Sequence, residues 1–184
     1  MPFFESKRPG KCILFFKFIQ KKGYGMPPSG KSLFWQKVTI VERKRMRKLA
    51  LSDEILMKVD KAARYIGGEV NSVMKDKNAV DIRFAMCFPD VYEIGMSNLG
   101  MMILYNMFNQ REDVWCERLF SPWPDLDKVM REEKIPLFAL ESQEPIRDFD
   151  FLGITIGYEM CYTNILQVLD LSGIPLKSAD RDRK

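Results

Sequence analysis

From residue 80 onward, short apolar runs with strand character alternate with stretches of helical periodicity, and this alternation limits the fold more than any other feature of the chain. Residues 80–88 place Ile82, Phe84, Met86 and Phe88 on one face of a strand that Pro89 ends. Residues 114–120 read as a second strand and 136–140 as a short third. Residues 151–156 form a fourth, whose near-continuous apolar character suits burial on both faces. Leu99, Met102, Ile103 and Met107 fall at helical spacing and predict an amphipathic helix over 98–110 with those four as its apolar stripe. Pro124 suits the first turn of a further helix, with Asp125 and Asp127 at its positive end and Leu126, Val129 and Met130 as its stripe. A last helix spans about 161–172, with Tyr162, Ile165, Leu166 and Leu169 on one side, and Gly173 and Pro175 stop it. Strands alternating with helices imply an α/β fold, a doubly wound parallel sheet of flavodoxin-like order 2-1-3-4. A fifth strand would begin near Ile174, Pro175 and Leu176, so the sheet is expected to be incomplete at its C-terminal edge and the chain to be a piece of a longer protein.

The charge divides the chain before residue 49. Residues 1–48 carry 13 Lys/Arg against 2 Asp/Glu, a balance of +11, whereas the remainder carries −7. Residues 1–45 mix basic residues with Phe3, Phe4, Phe15, Phe16, Phe18 and Trp35, sustain no helix or strand period, and are interrupted by Gly23, Gly25, Pro27, Pro28 and Gly30. They read as a basic, poorly structured leader upstream of a natural start at Met46, although residues 12–19 alone have strand character. The alternative reading is an arm that contacts nucleic acid by phosphate neutralisation and base stacking. Residues 46–79 form a lead-in: Ser52, Asp53 and Glu54 begin a short helix, and Gly67-Gly68 permit a tight turn. Residues 80–184 are the Rossmann-like domain.

Several chemistries are excluded or disfavoured. The chain has no histidine, which removes the commonest metal ligand and general base. Cys12, Cys87, Cys116 and Cys161 lie far apart, so no metal or redox motif is signalled and reduced, buried thiols are expected. The longest apolar run carries Lys17 and is too short for a membrane span, and no cleavage site follows it, which points to the cytoplasm. The stretch from Gly25 to Ser32 matches a phosphate-binding loop in letter only, because Pro27 and Pro28 remove two of the N–H donors such a loop needs.

In a doubly wound sheet, ligands bind beyond the carboxyl ends of the strands, where the strand order reverses. The candidate lining is Pro89, Tyr92, Glu93, Gly95, Ser97 and Asn98 after the first strand, Glu141 and Ser142 after the third, and Tyr158, Glu159 and Thr163 after the fourth. Gly95 allows close backbone approach, and Ser97 or Asn98 can cap the helix that follows. Glu93, Glu141 and Glu159 each lie just past a strand end, where they would converge on a cation or polar substrate; the competing reading is that they cap helices or face water. No metal ligand set is evident. Arg118 and Trp123, either side of Ser121-Pro122, read as part of a structural turn.

Four segments occur in a familiar series: residues 63–71, the 88–100 loop, Phe120-Ser121-Pro122-Trp123-Pro124-Asp125, and Tyr162-Thr163-Asn164. Over about residues 47–181 the chain resembles the N-terminal region of radical SAM proteins fused to a cobalamin-binding-like domain. The resemblance implies a C-terminal radical SAM domain as partner, which in the full-length parent supplies a three-cysteine motif for a [4Fe–4S] cluster and S-adenosylmethionine. That motif does not occur here, since Cys87, Cys116 and Cys161 are 29 and 45 positions apart. Cobalamin would have to bind without a histidine ligand. The implied role is an accessory domain that positions an unidentified substrate or a corrin beside the missing cluster domain.

Overall fold

The computed structural model describes residues 49–181 and, as backbone, residues 12–17. Four strands form one sheet: β1 (Cys12–Lys17), β2 (Ile82–Phe88), β3 (Val114–Phe120) and β4 (Phe151–Ile156), in the order β1-β4-β2-β3. Every pairing is parallel, with Ile82 opposite Val114 and Phe84 opposite Phe151. The helices are α1 (Asp53–Leu56), α2 (Ala63–Ile66), α3 (Tyr92–Met96), α4 (Leu99–Asn109), α5 (Pro124–Glu132) and α6 (Tyr162–Leu171).

Both faces of the sheet are covered, as a parallel sheet requires. Ala85, Cys87, Leu119, Leu152 and Ile154 pack against Leu126 and Met130 of α5 and Ile165, Val168 and Leu169 of α6. Phe84, Met86, Phe88, Cys116 and Phe120 pack on the other face against Met101 and Tyr105 of α4, with Tyr92 and Met96 of α3. The chain therefore runs β2–α4–β3 along one face and returns β3–α5–β4 across the other. The strand order reverses between β2 and β4. The doubly wound α/β architecture expected from the alternation is present.

Two expectations of order are corrected. Residues 136–140 are not a strand of the sheet, and β4 takes the place beside β2 that had been given to them. They fold back on residues 144–146 through Ala139 N–H to Glu144 O, Ile146 N–H to Leu137 O and an antiparallel bridge between Phe138 and Pro145. Five residues starting at a proline, with a second proline as their partner, leave too few N–H donors for a ladder. A tight reversal at Gln143, whose φ is 64°, completes the hairpin. The outer edge of β4, expected to lie bare, is occupied by β1 from within the basic leader.

The helical face of α4 is also corrected. Leu99, Ile103 and Met107 are exposed, whereas Met101 and Tyr105 are buried. Apolar residues surround this helix, so spacing alone supports two stripes. The Tyr105 hydroxyl accepts the Val73 N–H at 2.8 Å, and Phe108 meets Phe84 edge to face at 5.0 Å. These contacts select the buried side. In α6 likewise Tyr162 and Leu166 face out, while Ile165, Val168, Leu169 and Leu171 are buried. Asn98 caps α4 through its side chain to Met101 N–H, and Ser52 begins α1 without a side-chain cap bond. Gly67 and Gly68 turn with φ of 63° and 88°. Among the described residues no helix is long and apolar enough to cross a membrane.

Truncating Met101 to alanine should cost about 2–5 kcal/mol, as for other buried large-to-small changes. The same change at Ile103 should stay within about 0.5 kcal/mol. Urea denaturation of the two variants checks which face of α4 is packed.

Candidate functional site

All seven residues of β3 are buried, and two of them, Glu117 and Arg118, are charged. Strand alternation sends their side chains to opposite faces. Neither charge can reach water, so each must be met inside. On one face Glu117 accepts Arg83 Nη2 at 2.7 Å and Ser142 N–H at 2.8 Å. Arg83 also reaches Glu144 at 2.5 Å and lies 4.1 Å above the Phe149 ring. On the other face Arg118 donates through Nε to Glu141 at 2.5 Å and through its backbone N–H to the second Glu141 oxygen at 2.6 Å. Its Nη2 meets Glu69 and Ser72, both at 3.0 Å, and its Nη1 contacts the Met96 sulfur at 3.2 Å. The Leu140 N–H bonds the Arg118 carbonyl at 2.9 Å. Residues 140–142 thus close the free edge of β3, which would otherwise offer unpaired backbone.

Burial pushes the Glu141 carboxyl up to about 7, against the pull of the Arg118 charge and its N–H donors. Burial equally opposes the Arg118 charge, but the Glu141 carboxylate outweighs it and the guanidinium is shifted upward. Arg118 therefore stays charged, and Glu141 is the partner that takes up a proton. The Tyr105 hydroxyl joins them by hydrogen bonding Glu141. Glu117 is also raised by burial, with Arg83 and Ser142 opposing.

The carboxyl rim of the sheet lies beside this network. Tyr158, just past β4, donates to Asp90 Oδ2 at 2.5 Å, and Asn164 of α6 donates to the Pro89 carbonyl at 2.9 Å. Both bonds span the point where the strand order reverses. Asp90 also accepts Ser121 N–H through its carbonyl at 3.0 Å, tying the end of β2 to the end of β3. Tyr92 donates to Glu69 at 3.1 Å and packs edge to face on Phe120 at 5.5 Å, and burial with Glu69 raises its hydroxyl to about 12. Arg64 pairs with Glu93 at 2.9 Å and stacks 5.3 Å from the Trp123 ring. The hydrogen bonds from Arg64 hold the exposed Glu93 carboxyl below its ordinary value.

The structure therefore separates the three glutamates that might have shared a ligand. Glu93 is engaged by Arg64 and Lys61 on the surface, Glu141 is sealed against Arg118, and Glu159 is exposed at the start of a short 3-10 turn. Ser142 serves Glu117 and Arg83. Ser97 bonds the Ile94 carbonyl, Asn98 caps α4, and Thr163 faces solvent. Gly95 does allow a close approach, but to the sheet: a Cβ there would overlap the Phe120 ring and lie 3.3 Å from Phe88 Cβ. Pro89 and Tyr158 are each tied across the mouth to another residue, Pro89 to Asn164 and Tyr158 to Asp90. Arg118, Glu69, Asp90 and Asn164 complete these arrangements and were missed as site residues. The available signal was a charged pair inside an otherwise apolar strand.

Among the described residues the enclosed space at this rim, lined by Tyr65, Tyr92, Ser121, Trp123 and their neighbours, amounts to about 30 Å³. Cys87, Cys116 and Cys161 are each buried, and burial raises the first two thiols. No three His, Cys, Asp or Glu among the described residues come together as a metal-holding group.

Residues 100–184 match the family of radical SAM proteins, N-terminal. The matched stretch holds β3, α5, β4 and α6, with Arg118, Glu141 and Tyr158. No curated protein and no solved structure matches the chain.

Two outcomes test the site. The folded Glu141 carboxyl titrates near 7 and the ordinary one near 4.5, so the folded state binds the extra proton between those values. Its share of stability is complete below about pH 4.5 and is lost as the pH rises through 7. The stability gap between wild type and Glu141→Gln should narrow over that interval by up to about 3 kcal/mol, read from urea unfolding at successive pH values. Gly95→Ala should destabilise by about 1–3 kcal/mol through overlap with Phe120, read from the same unfolding curves.

Proposed function

We propose that this chain is the Rossmann-like accessory part of a radical SAM protein, and that the carboxyl rim of its sheet faces a cluster-bearing domain and its substrate. The observation that carries the reading is the match of residues 100–184 to the N-terminal part of radical SAM proteins, on a parallel sheet whose strand order reverses beside the Pro89 loop. Ligands of open α/β sheets gather at that end. The rim exposes large apolar side chains from two loops: Trp123 after β3, and Tyr158, Met160 and Tyr162 after β4. Met160 is 81% exposed. Clusters of this kind mark surfaces that another partner covers.

The division of labour follows from the residues. The accessory domain supplies shape, hydrogen-bond acceptors at Tyr158 and Asp90, and an apolar margin. The partner supplies the three thiolates, the cluster and S-adenosylmethionine, and therefore the radical. The scaffold is rigid where it needs to be, because the buried Arg118 network fixes the loops on which the rim is built.

Co-expression with the cluster-bearing part of a full-length protein from the same family tests this. The two should co-elute on size exclusion, and Met160→Glu with Tyr162→Glu should weaken the complex at least about tenfold without lowering the melting temperature of the accessory chain. Failure to associate, or association untouched by the two charges, would falsify the reading. Anaerobic reconstitution of the chain alone with iron and sulfide should leave no cluster absorption after desalting.

A further inference from the structure

The Ser121 hydroxyl sits at the carboxyl end of β3, where the residue is 5% exposed, and it makes no hydrogen bond. A buried hydroxyl without a partner costs about 1–3 kcal/mol, and natural folds rarely keep one idle. Its surroundings are specific. Ser121 lines the narrow cleft described above, whose walls include Tyr65, Tyr92, Phe120 and Leu126. Trp123 stands at the mouth, about half exposed, held there by the Arg64 guanidinium over its ring and by its backbone N–H donating to the Tyr65 hydroxyl at 3.2 Å. Arg64 is in turn fixed by Glu93 on the surface. The walls are mostly apolar and aromatic, the Arg64 and Arg118 side chains that also line the cleft are paired with glutamates, and the Ser121 hydroxyl is left without a partner. The free space of about 30 Å³ admits a single oxygen at the bottom of the cleft, and the rest of a ligand would lie against the half-exposed indole.

We propose that this cleft is a binding site for the tip of an aromatic or apolar ligand that ends in one hydroxyl or carbonyl oxygen, with Ser121 Oγ as its hydrogen-bond partner and the Trp123 ring as the apolar wall at its mouth. The open polar demand is at Ser121, since the Tyr92 hydroxyl is engaged by Glu69, the Arg118 guanidinium by Glu141 and Glu69, Arg64 by Glu93, and the Tyr65 hydroxyl by the Trp123 N–H. The site does not depend on the accessory-domain reading: it is built from residues of this chain alone, at the opposite edge of the sheet from β1. Water would offer the same chemistry, and the experiment separates the two sources.

The test uses the full chain and a matched pair of probes, p-cresol and toluene, followed by amide and indole resonances in ¹H–¹⁵N spectra. p-Cresol should shift the Ser121 amide and the Trp123 indole, and it should bind about tenfold tighter than toluene, the difference one hydrogen bond supplies. Ser121→Ala should erase that preference while leaving the toluene affinity unchanged. The proposal is overturned if neither probe moves these resonances, if both bind alike, or if the preference survives in Ser121→Ala. Should that variant not fold, the contrast between the probes on wild type decides alone. A crystal structure with an ordered water on Ser121 Oγ that p-cresol does not displace also overturns it.

Discussion

The pairing of Arg118 with Glu141 is the constraint on which the rest of the structure depends. Both side chains are fully buried, and each ion taken from water alone costs several kcal/mol. A pair of this kind adds little net stability over apolar residues of the same volume. What it imposes is arrangement, because any packing that separates the two leaves a bare charge in the interior, at a cost of about 3–5 kcal/mol. Residues 140–142 must therefore lie along β3, and the 69–73 lead-in must reach Arg118 from the other side through Glu69 and Ser72. Glu117 and Arg83 make the same demand on the opposite face. Two adjacent charged residues on an edge strand thus bind segments distant in sequence to one sheet.

That binding has a consequence for the rim. The loops after β2, β3 and β4 carry few hydrogen bonds to one another, chiefly Tyr158 to Asp90, Asn164 to Pro89 and Ser121 to Asp90. Their positions are inherited from what lies beneath: Tyr92 through Glu69, Trp123 through Tyr65 and Arg64, and Gly95 through the Phe120 ring. The four segments that carry the resemblance to radical SAM proteins all contribute to this corner. The result is a rigid floor beneath an apolar, half-open rim.

The strands at 114–120 and 151–156 were legible to the residue, as were the proline start of α5 and the position of the 89–98 loop at the mouth of the sheet, while the cap of α4 was narrowed to Ser97 or Asn98, of which Asn98 serves. Each of these rests on neighbours in sequence. Local signals failed where two solutions were equally good. The α4 sequence is apolar all round, and only the Tyr105 bond to Val73 and the Phe108–Phe84 contact choose its inner face. The 136–140 run has strand composition, yet Pro136, its partner Pro145 and the buried Arg118 opposite make it an edge cover.

The sequence by itself determined the alternation of strands and helices, and with it a parallel sheet wrapped on both sides, because apolar period and turn residues act within a few positions. It also shows that the given chain carries no histidine and no closely spaced cysteines. Only the tertiary structure decided the strand order, the identity of the edge strands and the partners of Glu117, Arg118 and Glu141. Those outcomes depend on which buried charges and ring faces meet across tens of residues, and a one-dimensional pattern does not encode that meeting.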